Sequence, residues 1–133
     1  MDGNAAIRDF LAGERYAVAG ASRDRSKYGN KVLRCYLQHG REAIPVHPRE
    51  REIEGIACVP DLASLPEGVH GLSIITPPEV TEQVVEDAIR AGIPRIWMQP
   101  GAESEDAIEA ARAAGIALIA GGPCLLVALG YRE

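Results

Sequence analysis

The chain has 133 residues, 47% of them hydrophobic and 25% charged, with 14 Lys and Arg against 19 Asp and Glu for a net charge of −5. That length and composition fit a single domain with a core of its own and exclude a disordered chain. The acidic balance argues against nucleic acid or a membrane surface as a general partner, and no apolar run approaches the length of a bilayer span.

In chain order, the first predicted element is a short helix over residues 4–12. Ile7, Phe10 and Leu11 share one face, Gly13 stops it, and it is expected to pack at a sheet edge. The first strand is predicted at 16–19. It runs into Gly20-Ala21-Ser22, a turn small enough for a ligand to approach the main chain, and then into Arg23, Arg25 and Lys27. An ordinary strand-to-helix turn would also explain the small residues, but a buried turn has no need of the cations. A helix is predicted over 31–39, ended by Gly40. A helix start in this position offers unpaired N–H groups and the positive end of a dipole to a phosphate.

The second strand is predicted at 43–46, leading into His47-Pro48. Pro45 gives no N–H to a ladder, so either its N–H side is free or the strand is shorter. Ile53, Ile56 and Val59 suggest an extended segment around Gly55, and 61–66 reads as one helical turn. A buried strand at 72–75 ends at Thr76-Pro77-Pro78. There a helix opens that runs to Ala91 and stops at Gly92. A strand at 95–99 breaks at Pro100-Gly101, and Ser104 caps a helix that ends at Gly115. The last strand is predicted at 117–120. Gly121-Gly122-Pro123 then turns the chain into an apolar segment over 124–129. Residues 88–93 and 111–116 echo each other as helix ends that feed a strand through glycine. This alternation predicts an α/β fold, a Rossmann-like three-layer sandwich with a mostly parallel sheet and helices on both faces, formed by residues 1–133 as one domain. Ligands of such sheets bind outside the carboxyl ends of the strands.

Cys35, Cys58 and Cys124 are widely spaced and odd in number, and none has metal-ligand spacing with His39, His47 or His70. Reduced thiols in a cytoplasmic protein are the simplest reading. Residues 1–4 lack the basic and apolar regions of a leader. No nucleophile–base–acid set and no Gly-x-x-x-x-Gly-Lys-Ser/Thr loop occurs, so neither catalytic nor metal-binding residues are assigned. Cys124 reads as a packed thiol, with a nucleophile or a disulfide to a ligand thiol as the alternative.

Several stretches, in order, carry a resemblance. They are 18–22 (Val-Ala-Gly-Ala-Ser), 26–29 (Ser-Lys-Tyr-Gly), 44–48 (Ile-Pro-Val-His-Pro), Glu54-Gly55-Ile56, Asp61-Leu62, Leu65-Pro66, Thr76-Pro77-Pro78 and 97–101 (Trp-Met-Gln-Pro-Gly). The chain resembles the stand-alone CoA-binding domain proteins, relatives of the amino-terminal domain of the succinyl-CoA synthetase α subunit. The resemblance runs from about Phe10 to Val127. It implies coenzyme A or an acyl-CoA as ligand, held by its nucleotide end. It also implies contacts from Gly20, Ala21, Ser22, Lys27, Tyr28, His47, Pro48, Thr76, Pro77, Met98 and Gln99. His47 stands where family members often have Asn. Gly122-Pro123 and Ala128 replace their charged residues around Cys124. The ligase relatives use further domains, so the resemblance points to a binding module without its own chemistry.

Arg49 joins this set on charge. The end of the second strand, where a ribose would rest, offers His47 and Arg49 and no carboxylate. An acid there would suit NAD and repel a ribose phosphate. Gly-x-Gly-x-x-Gly is absent after the first strand. An NADP-dependent oxidoreductase and a regulatory protein without ligand remain the alternatives. The oligomeric state stays open, with a homo-oligomer or a protein partner as options.

Overall fold

The computed structural model describes residues 3–133. Met1 and Asp2, part of the stretch read for a leader, lie outside them. Five parallel strands form the main sheet: β1 (Arg15–Ala19), β2 (Glu42–Val46), β5 (Gly71–Ile74), β6 (Arg95–Met98) and β7 (Ala117–Ile119). Their order across the sheet is β2-β1-β5-β6-β7. The chain first winds from β1 outward to β2, then returns to β5 on the other side of β1 and continues away. The reversal leaves a crevice between the carboxyl ends of β1 and β5, the topological switch point where such sheets take ligands.

The strands are apolar because both faces are covered. Side chains alternate between two cores. Ala17, Ala19, Leu72, Ile74, Ile96 and Met98 face α3 (Pro78–Ala91) and α4 (Glu105–Ala113). Tyr16, Val18 and Trp97 face the other layer, made of α1 (Gly3–Leu11), α2 (Tyr28–Gln38) and a wide π-type turn, Leu126–Gly130. The α/β sandwich expected from the alternation of elements is therefore the fold. Among the described residues, no helix is long and apolar enough to cross a membrane.

Helix α1 packs against the edge strand β7, as expected, and its last turn reaches inward over the face of the sheet: the Phe10 ring lies 5.4 Å from Tyr16 and 5.3 Å from Trp97, between centroids. Three local expectations change. Helix α2 begins at Tyr28, three residues before the predicted start, since Lys31 N–H already donates to the Lys27 carbonyl at 3.1 Å. The segment around Gly55 is a hairpin, β3 (Glu52–Ile53) and β4 (Ile56–Ala57), closed by Glu54-Gly55 with φ of 52° and 78°. Val59 bridges to β2 instead.

That bridge accounts for Pro45. Strand β2 is an edge strand, and the Pro45 carbonyl accepts from Val59 N–H on the side away from β1. A residue's N and O point to the same side of its strand. The missing N–H of Pro45 therefore faces outward and costs the β1 ladder nothing.

Candidate functional site

The carboxyl ends of β1, β2 and β5 surround a hollow of about 480 Å³ lined by Gly20, Ala21, Ser22, Lys27, Tyr28, Gly29, His47 and Ile75. Two glycines set its floor. Gly20 has φ of 95°, and a Cβ there would overlap the Ile75 carbonyl. A Cβ at Gly29 would overlap the Gly20 carbonyl, so α2 can start this close to the strand only with glycine in its first turn. Glycine at position 20 thus serves the packing of β1 on β5, and a branched side chain there would break the fold before it reached a ligand.

Lys27 precedes α2 without a side-chain cap, so N–H groups of the first turn remain for an anion. Lys27 is exposed and forms no ion pair among the described residues. Arg23 and Arg25 differ from it. Arg23 pairs with Glu50 at 3.4 Å and Arg25 with Glu54 at 3.3 Å. The cation cluster read from the sequence is therefore partly neutralised by carboxylates on and beside the hairpin.

His47 Nδ1 accepts hydrogen bonds from the backbone N–H of Arg49 at 3.0 Å and Glu50 at 2.9 Å. The neutral ring is thereby fixed in the Nε2–H tautomer, which leaves a donor for a ligand. Pro48 and Arg49 follow at the exposed rim, and the Arg49 side chain forms no ion pair among the described residues. Thr76 and Pro77 follow Ile75, the Thr76 hydroxyl bonded to that of Thr81 at 2.7 Å.

Met98 and Gln99 stand apart from the hollow and are fully buried. Met98 packs in the α3–α4 core. Gln99 Oε1 accepts from Leu125 N–H at 2.9 Å and from the Tyr28 hydroxyl at 3.1 Å. The Tyr28 hydroxyl also meets Cys124 Sγ at 2.5 Å. Burial first, and Cys124 beside it, push that hydroxyl well above the ordinary tyrosine range, so near neutral pH it serves as a hydrogen-bond donor. Among the described residues no group of three or more His, Cys, Asp or Glu could hold a metal ion.

The model of the CoA binding domain family matches residues 14–130. The chain belongs to the CoA-binding domain family. The match spans every strand and the whole rim of the hollow. A conserved hypothetical protein from Pyrococcus furiosus is 38% identical, with 86% of this CoA-binding domain and 97% of that chain covered and a TM-score of 0.82. A hypothetical protein from Pyrococcus horikoshii OT3 is 25% identical over 96% of this chain and 89% of its own, with a TM-score of 0.89. The ADP-forming acetate–CoA ligase I of Archaeoglobus fulgidus is 28% identical over 119 residues, 82% of this chain. The CoA-binding domain spans only 17% of that ligase.

Larger hollows of about 570 and 630 Å³ lie at the opposite, amino edge of the domain, one beside Leu62, Val69 and Ile93, the other beside Gly13, Arg15 and His70. Neither lies at the switch point or at the start of an α-helix. Sequence reading overlooked Asn30 and Glu54, which hold the β1–α2 loop from behind. Glu54-Gly55 stands between Ile53 and Ile56, single apolar residues on strands too short to announce a hairpin.

Proposed function

We propose that this domain binds coenzyme A or an acyl-CoA by its nucleotide end, in a cytoplasmic setting, as a binding module with no chemistry of its own. One observation carries the reading: Gly20, Ala21, Ser22, Lys27, Tyr28 and His47, drawn from three separate stretches, line one hollow at the switch point of a chain in the CoA-binding family. The residues present suit the ligand. The pyrophosphate would rest on the Gly20–Ser22 turn and the start of α2, with Lys27 beside it. The ribose phosphate would meet His47 and Arg49. The pantetheine arm would run past Thr76 and Pro77 toward β6.

CoA carries a ribose 3′ phosphate that dephospho-CoA lacks. Arginine makes charge-assisted bonds to phosphate, so CoA is expected to bind more tightly by about 1–3 kcal/mol. Calorimetric titration of both ligands measures the gap, and Arg49→Ala should narrow it while leaving dephospho-CoA nearly unaffected. Equal affinity of the wild type for the two would overturn the phosphate assignment. Tighter binding of NADP than of CoA would move the protein to the oxidoreductases.

A further inference from the structure

Glu54 is the one non-glycine residue with positive φ among the described residues. It is the first residue of a two-residue hairpin turn, where Asn, Asp or Gly suits the left-handed backbone and Glu does not. Nothing in the turn asks for a carboxylate. A broken local rule of this kind points to a role elsewhere in the molecule.

The carboxylate reaches back to the β1–α2 loop. Glu54 Oε2 accepts from Asn30 Nδ2 at 3.1 Å and faces Arg25 Nε at 3.3 Å. Asn30 is fully buried in the first turn of α2. Its Nδ2 also donates to the Ser22 carbonyl at 2.8 Å, and its Oδ1 accepts from Arg34 Nε at 2.6 Å. Two acceptors on one side and a donor on the other permit a single orientation of the amide. Arg34 closes the knot by donating from Nη2 to the Arg25 carbonyl at 2.8 Å.

The Ser22 carbonyl is thus drawn toward Asn30. In a planar trans peptide the following N–H points the opposite way. That N–H belongs to Arg23 and has no partner among the described residues. Ser22 itself lines the hollow. We propose that Glu54 is a positioning residue of this site: acting through Asn30, it turns the Ser22–Arg23 peptide so that its N–H is presented to the pyrophosphate of the ligand. The proposal rests on the CoA reading above and adds to it that the β3–β4 hairpin is part of the phosphate cradle, though it touches no ligand atom.

Two variants test it, with ADP used beside CoA because ADP carries the pyrophosphate without the arm. Glycine suits the backbone of the turn, so Glu54→Gly should melt no lower than the wild type. It should still bind both CoA and ADP about tenfold more weakly, the scale of one lost charge-assisted hydrogen bond. Glu54→Gln keeps an acceptor for Asn30 and should recover most of that loss. Glu54→Gly binding both ligands like the wild type would overturn the proposal, and Glu54→Gln as weak as Glu54→Gly would overturn the route through Asn30. A wild type that bound neither ligand would overturn the CoA reading and this one together.

Discussion

Ile96 and Trp97 are neighbours on β6 that point to opposite faces of the sheet, and the two cores they enter differ in chemistry. The α3–α4 core is aliphatic throughout, with Ala17, Ala19, Ala88, Ala107 and Ala111 allowing the helices to sit close. The α1–α2 core holds Phe10, Tyr16, Tyr36 and Trp97, with Tyr16 and Tyr36 stacked at 4.6 Å. Buried polar groups gather there as well. The Tyr36 hydroxyl pairs with Ser73 at 2.6 Å, the Tyr16 hydroxyl donates to the Phe10 carbonyl at 2.7 Å, and Trp97 Nε1 donates to the Pro123 carbonyl at 3.0 Å. Aliphatic packing tolerates many arrangements of similar volume, whereas hydrogen-bonded groups accept few. The aliphatic face supplies stability. The aromatic face also fixes directions, and it is the one on which α2 and the ligand-facing loop are mounted.

Paired truncations on β6 test that division most strongly. Trp97→Ala should cost about 3–5 kcal/mol and Ile96→Ala about 2–5 kcal/mol in urea unfolding. Only the first should also weaken CoA binding in the protein that remains folded. Trp97 holds the turn at Pro123, and the next residue, Cys124, meets Tyr28. Equal effects of the two on affinity would erase the distinction between the faces.

A smaller change sharpens it. Tyr36→Phe strands the Ser73 hydroxyl in a dry core and should cost about 1–3 kcal/mol. Adding Ser73→Ala removes the stranded group and should restore most of the loss. A double variant less stable than Tyr36→Phe would show that the pair stabilises the fold in its own right.

The smallest effect appears in alkali. Burial pushes the Cys35 thiol from 9.0 up to about 11 and raises the hydroxyls of Tyr16, Tyr28 and Tyr36 above 10.0. All four groups lie on or against the aromatic face. Their folded pKa values exceed the unfolded ones, so in this range the unfolded chain releases protons that the folded chain keeps. The stabilisation is complete below 9.0 and fades as pH rises through about 11. Cys35→Ala should therefore flatten the alkaline limb of a stability–pH curve, and an unchanged limb would assign it to the tyrosines alone.

The sheet was legible because each buried parallel strand is an apolar run bounded by glycine or proline, and these bounds fall within a residue or two of the observed ones. The start of α2 was not, since Lys27-Tyr28-Gly29 carries no side-chain cap and the helix reveals itself only through its packing on Gly20. Two-residue strands have no period to read, so the hairpin stayed hidden. For the site, Gly20–Ser22 and His47 were visible because each follows directly on a strand. Asn30 and Glu54 were not, because their partnership joins a helix turn to a distant hairpin and leaves no local pattern. Arg23 and Arg25 were misjudged for the same reason: their counter-ions come from that hairpin.

Pro45 bears on how copies of the chain behave at high concentration. Strand β2 ends the sheet, and an open edge normally presents a row of donors and acceptors to any passing strand. Here the outward row lacks a donor at Pro45, and the Pro45 carbonyl and His47 N–H are both taken up by Val59. Crowded copies meet, over residues 45–47 of this edge, groups already bonded within the chain or lacking a donor, a poor template there for a sixth strand or for a growing fibril.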